Sequence, residues 1–394
     1  MSLCPLCENS SHQELFSFDK AFVSSGVLDE LPNLAKTKTR ISLVQCRNCD
    51  FIFNQSFDFE AIKKEYSSKN YISRKIVSSA MNKTIQSIKE SILHHCKKAL
   101  MGGGIELLEI APGRCDLLLA LARHCDSLLT IDPSNISLQS QNIPKHQHIQ
   151  GFFDESIASK IRQKPNLIIF RHLLEHIEHS GEFLRQVVQL ADEKALLYIE
   201  VPNAPEWLGN LRFYEIFNDH CGQYQESVLC NFMADLSCEC VGKIMLYDEQ
   251  HLGLFFQKRA KFKYQKQKSL SYDEGLKTLL QKRIKDFNAL ITSFENIALY
   301  GAGAHGNTLI SFLEPKILAK IKLCFDLDDK KQDKYLQSTA IKITKPSKEL
   351  LQGLDCIVLC SPLYENEIVS FLQKEGFKGK VLKSQKEPLL LDLA

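Results

Sequence analysis

Four cysteines near the start of the chain have the spacing of a metal site. They form two pairs, Cys4-Pro5-Leu6-Cys7 and Cys46-Arg47-Asn48-Cys49. A two-residue spacer lets both sulfurs of a pair face one ion, and Zn²⁺ binds four thiolates at about 2.3 Å in a tetrahedron. Because four cysteine ligands leave no open coordination position, we expect a structural zinc site. Unmetallated cysteine pairs are the alternative, whereas a redox dithiol leaves the matching of the two pairs unexplained.

A second group of candidate residues surrounds a turn in the first half of the chain. Glu109 lies near the end of an apolar run, Gly113 lies in the turn, and Asp132 ends the next apolar run. Asp132 follows Gly113 by 132 − 113 = 19 positions, about the distance at which a carboxylate reaches ribose hydroxyls in a strand–loop–helix–strand unit. We therefore expect a nucleoside site at the carboxyl end of a parallel sheet.

A Gly-x-Gly-x-x-Gly motif marks a second unit of this kind. Its glycines are Gly301, Gly303 and Gly306, between an apolar run at 297–300 and a helical pattern that we expect to begin at Thr308. The motif alone is a weak signal, but in this context it predicts a second Rossmann-like domain. A nicotinamide oxidoreductase that uses this loop is one reading, although it leaves the other motifs unexplained.

Two polar stretches follow predicted strand ends. The first is 171–177, which carries His172 and Glu175, and the second is 211–224, which carries Asp219 and His220. Proton donors and acceptors placed after a strand end suit acid–base chemistry. The alternative is a hydrogen-bonded structural histidine for 171–177 and a surface loop for 211–224.

Apolar runs that alternate with helical patterns must position these residues. The alternation predicts an α/β protein with two Rossmann-like doubly wound domains preceded by a small zinc-binding domain. We expect the zinc-binding domain at 1–70, a donor-binding domain at 71–257 and the second Rossmann-like domain at 258–394. The further strands that this division uses are predicted at 149–154, 166–170, 195–203 and 356–362.

Composition restricts the class of partner. The 394 residues carry 49 basic and 47 acidic side chains and a formal charge of +2, which is too balanced for a general nucleic-acid or anionic-membrane surface. The start of the chain lacks a signal-peptide pattern and no apolar run is long enough to cross a bilayer. We expect a soluble cytoplasmic protein, monomer or homodimer, that binds a small molecule and keeps its 14 cysteines as thiols or metal ligands.

Taken together, these motifs resemble those of the S-adenosylmethionine-dependent sugar C-methyltransferase family. The resemblance rests on the two cysteine pairs and on 108–110, 131–134, 171–177, 200–203 and 301–309. It implies an enzyme with S-adenosylmethionine and Zn²⁺ as cofactors and a nucleotide-linked keto-sugar as substrate, bound between the last two domains. O-methylation of a sugar or related small molecule, or a non-catalytic nucleotide-binding member, are the alternatives.

The resemblance also implies roles for individual residues. His220 is expected to be the base that forms an enolate, with Asp219 orienting or charging it, and His172 and Glu175 are the other candidates. The residues expected at the donor are Glu109, Ala111, Gly113, Asp132, Pro133, Phe153, Asp154, Arg171 and His172. Those expected at the substrate are Tyr66, Tyr71, Asn203, Tyr224, Gly301, Gly303, His305 and Asn307.

Two departures from the family pattern bear on activity. A Tyr-His-Glu-His run of the family corresponds to Phe217-Asn218-Asp219-His220 here, which keeps only the last histidine and a shorter acid. Ala111 and Cys115 stand where the family favours glycine. If φ must be positive at these two positions, their Cβ atoms would crowd the approach of the backbone to the donor.

Overall fold

Three sheets organise the chain in a computed structural model. The structure describes residues 3–23, 28–32, 38–66, 79–134, 143–384 and 386–393. The predicted α/β class is confirmed: two sheets are mainly parallel, and a smaller sheet beside the cysteine pairs precedes them. None of the helices in the described ranges is long and apolar enough to cross a membrane.

The first sheet is antiparallel and has the order β1-β2-β3-β9. Its last strand comes from the polar stretch after residue 211, where sequence patterns predicted only an irregular loop. The strands are β1 (His12–Ala21), β2 (Thr39–Cys46), β3 (Ile52–Asn54) and β9 (Gly222–Gln223). The helix α1 (Phe59–Tyr66) follows β3. A segment of the central region therefore completes the N-terminal sheet.

The second sheet has seven strands in the order β10-β11-β8-β7-β4-β5-β6. The first five strands along the chain run parallel to one another. The strand β11 pairs antiparallel with β8, and β10 pairs antiparallel with β11. The strands are β4 (Glu106–Ile110), β5 (Ser127–Asp132), β6 (His146–Gln150), β7 (Leu167–Arg171), β8 (Leu196–Pro202), β10 (Cys238–Leu246) and β11 (His251–Lys258). The helices are α2 (Ser79–Ala99), α3 (Asp116–Leu121), α4 (Glu155–Ala158), α5 (Ser180–Leu190), α6 (Ala204–Gly209) and α7 (Glu226–Asp235).

The third sheet has the order β14-β13-β12-β15-β16-β17, with only β17 antiparallel. The strands are β12 (Ile297–Tyr300), β13 (Ile321–Phe325), β14 (Lys342–Thr344), β15 (Cys356–Leu359), β16 (Lys380–Lys383) and β17 (Leu389–Asp392). The helices are α8 (Gly275–Ile291), α9 (Ala304–Phe312), α10 (Pro315–Leu318), α11 (Lys348–Leu351) and α12 (Glu365–Lys374). The expected helix start at Thr308 is wrong, because α9 begins at Ala304 and includes the last glycine of the motif.

The topology of the second sheet brings several chain segments to one edge. The parallel strands β4, β5, β7 and β8 end there, as expected for a site at the carboxyl edge of a parallel sheet. Because β11 runs antiparallel to β8, its first residue, His251, pairs with Pro202 at the end of β8. The start of β11 therefore lies beside the ends of the parallel strands.

The N-terminal sheet and the C-terminal unit share one buried core. Leu15 and Ile41 of the first sheet belong to the same apolar cluster as Leu280 of α8 and Ile297 of β12. An isolated bridge also joins Asp29 to Tyr335. Burial of this kind favours a fixed arrangement of the two regions, because separating them would expose the shared apolar surface to water.

Candidate active site

The loop after β4 has an unusual backbone. Ala111, Gly113 and Cys115 have φ values of +54°, +55° and +61°, all in the left-handed region. For a residue with a Cβ this conformation costs on the order of 1–2 kcal/mol, so the two non-glycine residues are strained. Hydrogen bonds hold the turn, from Ala111 N to Ile131 O at 2.8 Å and from Cys115 N to Pro112 O at 2.9 Å. The positions where the family favours glycine are therefore ones that require positive φ.

Two carboxylates lie at this loop in different surroundings. Glu109 is 3% exposed, and its Oε2 accepts no hydrogen bond within the described part of the chain. Burial raises the pKa of Glu109 to about 8, with Arg171 opposing and Asp116 adding to the shift. Asp132, at the end of β5, accepts a hydrogen bond at Oδ1 from Ser134 N at 2.8 Å. Burial raises the pKa of the Cys115 thiol to about 12, and the charges of Glu109 and Asp132 add to the shift.

Phe153 and Asp154, both expected at the donor, follow β6, which ends earlier than predicted. Asp154 caps α4, where its Oδ1 accepts from Ile157 N at 2.8 Å. Phe153 packs edge-to-face on Phe183 at 5.5 Å between ring centroids. The main-chain oxygen of Pro133 accepts from Gln150 Nε2 at 3.1 Å. Asp154 therefore contributes to the fold as a helix cap, whatever contact it makes with a ligand.

A buried carboxylate organises the ends of β7 and β8. Glu200 is fully buried, and its Oε2 accepts from Arg171 Nε at 2.8 Å and from the Tyr198 hydroxyl at 3.0 Å. Its Oε1 lies 2.9 Å from Nε2 of His172 and 4.0 Å from Nδ1 of His251. Arg171 and His172, both expected at the donor, thus contact Glu200.

The charges in this group stabilise one another. Burial alone would raise the pKa of Glu200, but Arg171 and His172 hold it well below its ordinary value. In turn, Glu200 and Glu175 raise the pKa of His172 against the opposing effect of burial. His172 also has φ +51°, and such strain in a non-glycine residue is typical of functional sites. The edge of the sheet therefore holds an ionised carboxylate among three basic side chains.

The expected base, His220, lies in a neighbouring cluster of rings. It is 8% exposed, with ring centroids 4.8 Å from His176 and 4.9 Å from Phe217. Burial and the nearby histidines, chiefly His176, hold its pKa well below the ordinary value. Nδ1 of His176 lies 2.6 Å from the main-chain oxygen of Asp219, and must donate because a carbonyl only accepts. His220 is therefore uncharged near neutral pH, and one of its ring nitrogens is an acceptor.

A second buried carboxylate joins this cluster to the C-terminal unit. Glu215 Oε1 lies 3.0 Å from Nε2 of His305, at the start of α9, and 3.3 Å from Nη2 of Arg212. Although burial opposes the shift, His305 and Arg212 lower the pKa of Glu215 to about 2. The Phe217 ring lies between the two imidazoles, 5.2 Å from His305. His220 is therefore positioned between the second sheet and the glycine loop of the third.

Some residues expected at the substrate are used by the fold. Tyr224 is fully buried, and its hydroxyl donates to Leu174 O at 3.2 Å. Asn307 is 1% exposed and accepts from Gln337 N at 3.1 Å. Asn203 is half-buried and donates through Nδ2 to Glu249 O at 2.8 Å. The structure gives Tyr224 and Asn307 a packing role.

The two tyrosines after the first sheet are less informative. Tyr66 is the last residue of α1, and Tyr71 lies outside the described residues. Their proposed contact with substrate stays a prediction.

Sequence reasoning did not assign His251, His176 or Arg212 to the site. His251 and His176 reach it through contacts between distant segments, the pairing of β11 with β8 and the contact of His176 with Asp219 O. Arg212 instead pairs with acids that are near it in the chain, Glu206 and Glu215. The one local signal was the crowding of histidines and acids at 171–177 and 211–220.

The four N-terminal cysteines converge as expected. Cys4 Sγ lies 3.7 Å from Cys49 Sγ, and Cys7 Sγ lies 3.6 Å from Cys46 Sγ. All four sulfurs lie within 4.8 Å of one another. Tetrahedral coordination at about 2.3 Å separates sulfurs by about 3.8 Å, so the donor set fits one ion. Asn48 Nδ2 donates to Cys7 Sγ at 3.6 Å, which adds an outer contact to a ligand.

Comparison with protein-family models assigns the two larger units. Residues 81–242 match a model described as a methyltransferase domain, and 250–381 match one described as a C-methyltransferase C-terminal domain. The chain is an S-adenosylmethionine-dependent methyltransferase. In this methyltransferase, the strained loop and Asp132 lie within the first matched segment, and the glycine motif lies within the second.

Solved structures match the methyltransferase over part of its length. A putative methyltransferase from Bacillus halodurans is 11% identical, with a TM-score of 0.35 over 44% of this chain and 100% of that one. Magnesium protoporphyrin IX methyltransferase from Synechocystis, solved with bound SAH, is 14% identical, with a TM-score of 0.36 over 51% and 94%. Likenesses this weak carry no argument about substrate. No curated protein matches the chain.

Proposed function

We propose that the enzyme methylates a carbon atom of a nucleotide-linked keto-sugar. The observation that carries this proposal is the position of the buried His220, held between the second sheet and the glycine loop of the C-terminal unit. C-methylation beside a carbonyl needs a base that removes a proton before the methyl group is transferred. The match of 250–381 to a C-methyltransferase C-terminal domain supports the same chemistry.

Three units divide the work in this proposal. We assign 1–70 to zinc binding, 71–257 to donor binding and 258–394 to the substrate side of the cleft. Since Cys4, Cys7, Cys46 and Cys49 present four thiolates at tetrahedral spacing, they would hold Zn²⁺ as a structural ion. Its role is to fix the two N-terminal turns.

The donor would lie across the ends of β4 and β5. Asp132 would accept from the ribose hydroxyls, and the backbone at Gly113 would approach the donor closely, because a Cβ added there meets no atom within 4 Å. Glu109 lies beneath this loop, where it would contact the methionine or ribose part. S-adenosylmethionine, when bound, supplies an electrophilic methyl group on a sulfonium sulfur.

His220 would act on the substrate. It accepts the proton from the carbon beside the carbonyl, and the electron pair of that C–H bond becomes part of the enolate. The enolate carbon then forms the new C–C bond as the electron pair of the C–S bond returns to sulfur. The ion pair between Glu215 and His305 would hold the substrate side of the cleft in place, since it joins the segment before His220 to α9.

O-methylation is the second candidate, and one observation favours it. Phe217 and Asn218 lack proton-transfer groups, and Asn218 is used by the fold, where its Nδ2 donates to Val23 O at 2.8 Å. A hydroxyl substrate needs only one general base, which His220 supplies. The position of the new methyl group in the product, C–CH₃ or O–CH₃ by NMR, separates the two reactions.

The base is tested by His220→Ala, with the exposed His94→Ala as the matched control. We expect turnover to fall by about a hundredfold or more, while calorimetry shows unchanged affinity for S-adenosylmethionine. For C-methylation, wild type in D₂O should also exchange the proton beside the carbonyl without donor, and His220→Ala should not. Near-normal turnover in His220→Ala would move the base to another residue, and no donor binding at millimolar concentration would contradict the proposed donor site.

A further inference from the structure

Three metal-binding side chains converge at the edge of the second sheet. His172 follows β7, Glu200 lies in β8 opposite Arg171, and His251 is the first residue of β11. One imidazole nitrogen from each histidine and a carboxylate oxygen of Glu200 lie within 4.8 Å of one another. Because three neighbouring strands hold them, the spacing of these side chains is set by the sheet.

The distances suit a divalent ion. Bonds of about 2.1 Å separate neighbouring ligand atoms by about 3.0–3.5 Å in tetrahedral or octahedral coordination. Oε1 of Glu200 lies 2.9 Å from Nε2 of His172 and 4.0 Å from Nδ1 of His251, which brackets that range. The second distance exceeds the upper end of that range by 4.0 − 3.5 = 0.5 Å, so His251 would have to move towards Glu200 when the ion binds.

The other contacts of Glu200 and His172 leave Oε1 of Glu200 and Nε2 of His172 facing the proposed ion. Arg171 and Tyr198 both donate to Oε2 of Glu200, which fixes the carboxylate with Oε1 towards the histidines. Within the described residues, no well-directed hydrogen bond reaches Oε1. The other nitrogen of His172, Nδ1, lies 3.8 Å from Glu175 Oε1. Carboxylate partners of this kind orient histidine ligands in metal sites.

An ion pair between Glu200 and a protonated His172 is the competing reading. It leaves a fully buried carboxylate oxygen without a well-directed hydrogen bond, although buried charges are normally paired with good geometry or bound to a metal. It also gives no reason for a second imidazole to face the same oxygen. A bound cation explains both observations.

We propose that His172, Glu200 and His251 bind one divalent transition-metal ion, Zn²⁺ or an ion of similar preference, in addition to the ion held by the four cysteines. Two imidazoles and one carboxylate are typical of zinc and other transition-metal sites, whereas Mg²⁺ and Ca²⁺ prefer oxygen ligands. Three protein ligands leave at least one coordination position open.

The open position suggests a role beside the base. Glu175 lies between the two groups: its Oε1 is 3.8 Å from Nδ1 of His172, and a carboxylate oxygen of Glu175 lies within 4.8 Å of a ring nitrogen of His220, so the site and the proposed base share one region. An ion there would stabilise negative charge on a substrate oxygen as the proton leaves the neighbouring carbon. This role rests on the proposed function, whereas binding of the ion rests only on the three side chains.

Metal content tests the binding directly. Purified enzyme is treated with EDTA, titrated with Co²⁺ and analysed by elemental analysis and absorption spectroscopy. The thiolate site gives intense sulfur-to-cobalt charge transfer, while a histidine–carboxylate site does not, so the two ions are counted separately. We expect two ions per chain in wild type and in the control His94→Gln. His251→Gln and Glu200→Gln should keep the thiolate bands and lose the second ion, with affinity at least about tenfold weaker.

The results of the titration decide whether the histidine–carboxylate site exists. The proposal is overturned if wild type binds Co²⁺ only at the thiolates, or if both variants retain the second ion. If the variants do not fold, the wild-type spectrum still decides, because a histidine–carboxylate ion must appear without thiolate charge transfer. The Co²⁺ titration needs neither donor nor substrate, and donor affinity is measured separately on the same samples. Failure of the proposed methyl transfer is therefore distinguishable from failure of the metal site.

Discussion

The loop after β4 and the loop after β12 are built on one plan but serve different ends. The hydrogen bond from Ala111 N to Ile131 O at 2.8 Å has its equivalent in that from Gly301 N to Phe325 O at 2.7 Å. Both first loop residues have positive φ, +54° and +114°. In this equivalence, the buried Glu109 corresponds in position to Leu299, and Asp132 corresponds to Asp326.

The two acids that follow these bonds differ in what they contact. Asp326 accepts from Ala302 N and Lys331 Nζ, both at 2.9 Å, and thereby closes its own loop. The carboxylate of Asp132 accepts from its neighbour Ser134, through the main-chain N–H and the hydroxyl. The first loop has positive φ at two non-glycine residues, whereas the acid of the second loop is held by hydrogen bonds within that loop. The glycine motif therefore belongs to the loop whose acid is satisfied internally.

The largest expected effect breaks the closed loop. A Cβ at Gly306 would lie 2.3 Å from the main-chain oxygen of Gly301, and backbone at that distance must move. We expect Gly306→Ala to lower the free energy of unfolding by about 3 kcal/mol, measured by urea denaturation. Gly303→Ala is the control, since its Cβ would meet nothing within 4 Å. Equal losses in both variants would mean that the contact does not limit stability.

The pH dependence of the free energy of unfolding tests the assignment of Glu109. Since burial raises its pKa from 4.5 to about 8, the native state binds more protons than the unfolded state between these values, and stability falls as pH rises. Glu109→Gln removes this dependence. The variant should therefore gain on the order of 2 kcal/mol relative to wild type between pH 6 and pH 8. The exposed Glu193→Gln should show no such trend, and a pH-independent difference for Glu109→Gln would contradict the assignment.

Sequence patterns located most of these residues because the relevant signals are local. Apolar runs ending at Asp132 and Asp326, the Gly-x-Gly-x-x-Gly motif and the two cysteine pairs are each readable within a short window. The sequence also marked Ala111 and Cys115, where the backbone has positive φ. The helix start at Thr308 failed because a glycine was read as loop although Gly306 lies inside α9.

What sequence patterns missed depends on long-range pairing. His251 joins the site only because β11 runs antiparallel to β8, and a lone histidine before a strand does not reveal this. Gly222–Gln223 was read as loop because two residues carry no alternation, yet they pair with β3. The packing roles of Tyr224 and Asn307 follow from burial, which residue type does not determine.

The next prediction concerns Asp132 and Asp326, which occupy equivalent positions in the two loops. Asp132→Asn should weaken binding of S-adenosylmethionine by about 10–100-fold, because hydrogen bonds to a charged group contribute about 1.5–3 kcal/mol. Asp326→Asn should leave donor affinity within about twofold while lowering stability, since Ala302 N and Lys331 lose a charged partner. Calorimetry and denaturation of the two variants check this. Equal donor affinities would show that the ribose is bound elsewhere.

The smallest expected effect comes from giving the donor loop the glycine that the other loop has. Ala111→Gly removes left-handed strain of about 1 kcal/mol but adds freedom to the unfolded chain worth about 0.4–1 kcal/mol. These terms nearly cancel, so stability should change by less than about 0.5 kcal/mol. Donor affinity should rise by about two- to fivefold, because the Cβ no longer crowds the backbone. Cys115→Gly is the contrast: its side chain is fully buried, so lost packing should outweigh the relief of strain. A weaker donor complex in Ala111→Gly would instead show that the Cβ packs favourably against the ligand.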